Sequence, residues 1–330
     1  MKSRKYWMSL VGFCLMAMLI ISVPFSGFCA DKVYKIGIAT IATHPALDAT
    51  RKGFIDAMAE EGFVDGKNVI YEMDNAEGDM TLATSIAKKY VSQRKDMIVA
   101  TTTPISQACY AASKNTNIPI IFNAVTDPVA AGIVNSWEKP GGRVTGASDW
   151  MDVEAQVELI KMIVPTVKRV GVIYNTAEVN SRVQVKELKK AAPALGITVV
   201  EATASSTADV LMTAQSLIGR VDAIWFPTDN VVVAAMEAVI KIGEDNGIPI
   251  FGSDPAHPRR GAVAGSGVSM YDVGRSSGKM AARVLRGEKP GNIPVTKGVM
   301  SKLTVNLRAA KRLGLKIPKT LVYLATEVIE

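Results

Sequence analysis

Short runs of continuous apolar residues alternate along this chain with longer segments whose apolar positions recur at helical spacing. Lys35-Ile36-Gly37-Ile38-Ala39-Thr40 reads as a strand, and the segment from Leu47 to Glu61 places Phe54, Ile55 and Met58 on one helical face. Gly62 then marks a helix stop, and Asn68 to Met73 reads as a second strand. The same order returns in the second half. Arg169-Val170-Gly171-Val172-Ile173-Tyr174 is followed by a helix from Ser181 to Leu195, a stop at Gly196 and a strand from Ile197 to Ala202. Helices at Thr81–Val91 and Ala208–Ile218 correspond, as do the third strands beginning at Asp96 and Asp222. Both halves then reach Ile-Pro-Ile, at Ile118-Pro119-Ile120 and Ile248-Pro249-Ile250, and go on to Asp127-Pro128 and Asp254-Pro255.

Strands that alternate with helices predict βαβ units and a parallel sheet in each half. Their continuous apolar character suits sheets covered by helices on both faces. The fold class expected is α/β, with two doubly wound parallel-sheet lobes joined by a multi-strand hinge. In such sheets ligands bind beyond the carboxyl ends of the strands, so two facing lobes form a cleft lined by strand-end loops of both. Lys139-Pro140-Gly141-Gly142-Arg143 marks the join. The expected division is residues 31–145 plus about 271–292 for the first lobe, and 146–270 plus about 293–330 for the second.

The first thirty residues break the pattern. Lys2, Arg4 and Lys5 precede an apolar stretch from Leu10 to Val23 and a small-residue segment before Asp31. That order is a secretory signal peptide, and the stretch of about 14 residues falls short of the roughly 20 that a membrane span needs. Export to the periplasm is expected. Cys29 raises the alternative of a lipid anchor, which the bulky Phe28 just before it disfavours.

Composition narrows the chemistry. The 330 residues are 48% hydrophobic and 21% charged, enough for two globular cores. The formal charge of +7 includes the three cations of the leader, and no basic block suggests nucleic acid. Cys109 is the one cysteine beyond the leader and reads as a free buried thiol. The two histidines, His44 and His257, stand far apart, and no zinc spacing, nucleophile elbow, phosphate loop or dinucleotide glycine fingerprint occurs. No enzyme activity, metal or cofactor is expected.

The strand-end loops carry the candidate site. They hold Thr43, His44, Thr102, Thr103, Asp127, Asn175, Asp229 and Asp254, with Asn180 at the start of a helix. Such residues cap helices, but six loops converging on one cleft also offer ligand contacts. Helix N-termini and threonine hydroxyls suit a carboxylate, here at Thr102 and Thr103. A buried aspartate suits an ammonium, at Asp229 and also at Asp254, with Asp127 able to do the same or only to cap. Thr43, His44, Asn175 and Asn180 would contact the remainder. A zwitterion such as an α-amino acid needs both ends. Tyr71, Trp150, Tyr174, Trp225 and Tyr271 fall near strand ends, where one or two would stack on a flat side chain.

Several segments resemble one known family. His44-Pro45-Ala46-Leu47-Asp48-Ala49, Ala124-Val125-Thr126-Asp127-Pro128-Val129-Ala130-Ala131-Gly132, Lys139-Pro140-Gly141-Gly142 and Pro227-Thr228-Asp229-Asn230 are similar to the ABC-transporter substrate-binding proteins that include the tryptophan- and other aromatic amino-acid-binding members. The resemblance implies a periplasmic-binding-protein type I fold, a monomer that holds its ligand between the lobes, and delivery to a membrane permease with a cytoplasmic ATPase. A second reading keeps the fold and makes the chain an exported sensor that presents its solute to a membrane receptor.

Overall fold

The computed structural model describes residues 32–298 and 301–330. The expected signal peptide and Cys29 lie outside those residues. The first lobe runs β1 (Tyr34–Thr40), α1 (Pro45–Glu60), β2 (Val69–Asn75), α2 (Met80–Ser92), β3 (Met97–Thr101), α3 (Thr103–Ala112), β4 (Ile120–Asn123) and β5 (Val144–Ala147). The second runs α4 (Val153–Ile163), β6 (Arg169–Tyr174), α5 (Val179–Ala191), β7 (Thr198–Thr203), α6 (Val210–Gln215), β8 (Ala223–Phe226), α7 (Asn230–Ala234), α8 (Met236–Asn246), β9 (Ile250–Gly252) and β10 (Ala264–Val268). Helix α9 (Met270–Leu285) follows. The chain ends with β11 (Ser301–Asn306), α10 (Leu307–Arg312), α11 (Lys319–Leu324) and β12 (Glu327–Ile329).

One sheet has the order β2-β1-β3-β4-β5 and is parallel throughout. The other has the order β12-β11-β10-β9-β8-β6-β7 and is parallel except where β10 meets β11. The two orders carry the repeat: β2-β1-β3-β4 and β7-β6-β8-β9 are the same arrangement. Each therefore places its strand ends, and the helices they start, toward the cleft.

The cores follow from strand alternation. On β3, Met97 and Val99 join Ile36, Ile38, Phe54 and Met58 on one face of the sheet. Ile98 and Ala100 join Tyr90, Ile105, Cys109 and Phe122 on the other. A side-chain period of two, with helices on both faces, turns a continuous apolar run into two half-cores. Cys109 is free and buried, and burial pushes its thiol up to about 12, so it is inert.

Three chain crossings link the lobes. β5 stays hydrogen-bonded to β4 through Ala147, which carries the first lobe past the 145/146 division read from the sequence. The second crossing follows β10: α9 packs on α1, in the first lobe. The third comes after Thr296, which bridges to Ala147, so the first lobe also keeps Ile293 to Thr296. The α1–α9 contact is unusually close. A Cβ on Gly274 would stand 1.9 Å from the Thr50 carbonyl oxygen, and one on Gly53 would stand 2.0 Å from that of Tyr271.

Candidate functional site

A cavity lies between the lobes, where the strand ends meet, with about 430 Å³ of space free of protein atoms, part of it open to solvent. The lobes touch across it, with the Thr126 and Thr228 hydroxyls 3.3 Å apart.

The first-lobe wall is built at the ends of β3 and β4. Thr102 precedes α3 with φ 90° and ψ 163°, and Ala124 follows β4 with φ 51°. Non-glycine residues rarely adopt such angles, and the tertiary structure has to hold them there. The Thr102 N–H donates to the Asn123 carbonyl at 2.8 Å, and the Thr102 carbonyl accepts from both the N–H and the hydroxyl of Ser106. The backbone is thus pinned on both sides of the bend. Its effect is to turn the Thr102 and Thr103 side chains into the cavity at the start of α3, where the first-turn N–H groups have no intrahelical acceptor. Both hydroxyls are buried and have no hydrogen-bond partner among the described residues. This wall offers donors and a helix N-terminus, which is an anion's environment. Thr102→Gly is expected to raise the melting temperature of the unliganded protein, because glycine adopts this φ without strain worth about 1–3 kcal/mol. The same change should weaken ligand binding by removing a hydroxyl. Melting curves and titrations of one variant check both signs.

Buried carboxylates from both lobes line the cavity as well. Asp149, two residues past the end of β5, accepts from the Thr126 hydroxyl at 2.8 Å through Oδ1. Asp254, past the end of β9, accepts from the Ala256 N–H at 2.7 Å, also through Oδ1. Both residues line the cavity, both are buried, and neither is paired with a cation among the described residues. Burial pushes each carboxyl up to about 6, and the charge of Asp149 adds to the rise at Asp254.

Asp229 also lines the cavity, but its carboxylate is already engaged. Oδ2 accepts from the Asn175 N–H and the Ser181 hydroxyl, each at 2.6 Å, and Oδ1 accepts from the Val232 N–H at 3.0 Å. It ties the end of β6 to α5 and α7. Asp229→Ala is therefore expected to cost mainly stability, about 2–3 kcal/mol from three donors left unpaired, as a urea melt would show.

The remaining sequence candidates divide. His44, Thr102, Thr103, Asn180, Asp229 and Asp254 meet at the cavity. Thr43 and Asn175 lie further out at the cleft mouth, where Thr43 accepts from Asn75. Asp127 caps its own turn, accepting from the Val129 and Ala130 N–H groups at 3.0 Å. None of the five aromatics at strand ends lines the cavity. Trp225 is fully buried in the core, Tyr174 donates to Glu201, Tyr271 donates to Asp56, Trp150 packs on Trp137, and Tyr71 packs on Phe54. The flat faces that do line it are the imidazoles of His44 and His257. Burial, reinforced by the Arg260 charge, lowers them to about 4 and about 3, so both rings are neutral at physiological pH. Leu47, Ala124, Val233 and Met270 complete an apolar lining.

The cavity wall also holds Thr126, Thr228 and Asn230, whose loops the sequence places at the cleft without an individual role, and Asp149 and His257, which it does not place there. For Asp149 a signal was present. Ser148-Asp149 follows the strand Val144–Ala147 as the other polar loops follow theirs.

Two similar α/β lobes, three crossings and an interlobe cavity lined by hydroxyl donors and buried carboxylates define a two-lobed solute-binding protein. Residues 35–329 match the family described as ABC transporter substrate binding protein, and the chain belongs to that family. It is 42% identical over 287 residues to a tyrosine-binding protein of Clostridioides difficile (strain R20291), covering 87% of this chain and 83% of the relative. Among solved structures it is similar to the ABC domain from Streptococcus pneumonia in complex with L-Trp, at 36% identity and a TM-score of 0.87, over 90% of this chain and 100% of that one. It is also similar to a ligand-free, open substrate-binding protein from Clostridium difficile, at 41% identity and a TM-score of 0.68, over 90% of this chain and 99% of that one. The family's members are solute-binding proteins and not enzymes. No helix among the described residues is long and apolar enough to cross a membrane.

Proposed function

We propose that this protein is the exported, periplasmic binding component of an ABC importer, acting as a monomer that captures an aromatic L-amino acid between its lobes and presents it to a membrane permease. One observation carries the ligand class: the cavity is lined both by the unpartnered Thr102 and Thr103 hydroxyls at a helix N-terminus and by two buried carboxylates, Asp149 and Asp254, that lack a cation among the described residues. A carboxylate suits the hydroxyls and the helix N-terminus, and an ammonium suits the two aspartates. The ammonium anchor is then Asp149 with Asp254, and Asp229 serves as scaffold. The aromatic side chain lies against Leu47, Val233, Met270 and the neutral imidazoles. The tyrosine-binding relative and the tryptophan complex support this class of side chain.

Titration calorimetry of the mature protein against the twenty amino acids tests the reading. Tyrosine, tryptophan or phenylalanine should bind, and charged amino acids should not. Affinity should also fall in acid. The two carboxyls are held at about 6, so protons compete with the ligand's ammonium below that pH. The dissociation constant should be about tenfold larger at pH 5 than at pH 7. Binding of a sugar, with no response to any amino acid, would discard the proposal.

A further inference from the structure

One side chain of the second-lobe wall has its orientation set from behind. Asn180 is buried, and its Nδ2 lies 2.7 Å from the Thr228 carbonyl oxygen and 2.8 Å from Glu178 Oε2. A backbone carbonyl only accepts, so the group facing it is the NH2 of the amide, and Oδ1 points the other way. That Oδ1 is buried and accepts from no group among the described residues, while Asn180 lines the interlobe cavity. A buried acceptor without a donor is costly, which makes it a marked feature of the wall.

Glu178 supplies the second hold on that amide and gathers its neighbour as well. Its Oε2 also accepts from the Asn230 N–H at 3.2 Å and from Asn230 Nδ2 at 2.6 Å. Both amides of this wall are thus tied to one carboxyl oxygen. Glu178 is itself buried, but it stands behind the wall, toward the cleft mouth, and is not among the residues that line the central cavity. Burial together with the charge of Asp229 raises its pKa, and in either protonation state it accepts at the oxygen the amides share.

We infer that Glu178 is a positioning residue for ligand recognition: by holding the Asn180 NH2 group it aims Asn180 Oδ1 into the cavity as an acceptor reserved for an N–H or O–H donor of the ligand. Without this hold the amide can turn over and present its NH2 instead, and a donor on the ligand would then meet a donor on the protein. The donor read is either the ligand's ammonium or a polar hydrogen on its ring. The inference rests on the amino-acid reading given above.

A double-variant cycle tests it by titration calorimetry with L-tyrosine and L-phenylalanine. Glu178→Ala and Asn180→Ala should each weaken tyrosine binding by about tenfold or more. The double variant should be no weaker than Asn180→Ala alone, because Glu178 acts through Asn180. Glu178→Gln, whose amide oxygen accepts from the same donors, should return the affinity to within about threefold of the parent protein. If the loss vanishes with phenylalanine, Asn180 reads the ring hydroxyl; if it persists, Asn180 reads the ammonium. Losses that add in the double variant would overturn the inference, as would a glutamine variant as weak as the alanine one. Should Glu178→Ala not fold, Glu178→Leu keeps the buried volume and takes its place in the cycle. Absence of binding by the parent protein to either amino acid or to tryptophan would instead refute the amino-acid reading, before any variant is made.

Discussion

Asp149→Asn should weaken amino-acid binding by about 30- to 100-fold while making the unliganded protein more stable. The two effects have one cause. Among the described residues the Asp149 carboxylate accepts from the Thr126 hydroxyl and from its own backbone N–H, and it has no cation. A carboxyl held at about 6 instead of its ordinary 3.8 carries a charged form destabilised by about 3 kcal/mol. The sign with pH follows. The folded protein holds this proton more tightly than the unfolded chain, so the contribution to stability is fully present below about 4 and is lost as pH rises through about 6. At pH 7 the unliganded protein bears the full cost, and the ligand's ammonium offsets it. Asparagine keeps an oxygen for Thr126 and removes the charge, so the melting temperature of the unliganded variant should rise at pH 7 and match the parent near pH 4. The lost charge-assisted contact is worth about 2–3 kcal/mol, which is the stated loss of affinity. A variant that binds normally, or that is less stable at pH 7, would show that Asp149 is not the anchor.

Gly274→Val should destabilise the protein by at least about 3 kcal/mol, lowering its melting temperature by roughly 10 °C. Gly274 and Gly53 let α1 and α9 cross with backbone almost touching backbone. A Cβ on Gly274 would meet the Thr50 carbonyl oxygen at 1.9 Å. The obstacle is a helical carbonyl and not the end of a flexible side chain, so the helices themselves must separate. Affinity should fall too, because α9 begins at Met270 in the cavity wall, directly after a hinge crossing. A melting temperature within about 2 °C of the parent's would contradict this packing.

Most of the fold was legible because it is written locally and twice. The glycine stops at Gly62 and Gly196, the paired Ile-Pro-Ile segments and the alternation of apolar strand with amphipathic helix each report short-range physics. Both prolines stand directly before the inner strands β4 and β9. The antiparallel turn of β11 against β10 was not legible, since it depends on where the last segment docks after the third crossing. The site was legible in part. Strand-end position placed His44, Thr102, Thr103 and Asp254 among the residues that line the cavity, and a helix start placed Asn180 there. It could not separate a carboxylate engaged by its own lobe, Asp229, from one left facing the cavity, Asp149. That distinction depends on which backbone N–H groups three separate elements bring to one carboxyl. The aromatics misled for a similar reason. At Trp225 the strand alternation that makes the core turns the side chain inward, away from the cleft.

The most direct test of the account is a crystal structure of the mature protein with the aromatic amino acid that binds it best. The account predicts the ligand carboxylate at the Thr102 and Thr103 hydroxyls and the start of α3, with the ammonium within hydrogen-bonding distance, about 3 Å, of Asp149 and Asp254. A ligand turned the other way, or one whose ammonium rests on Asp229 while Asp149 stays unpaired, would contradict it.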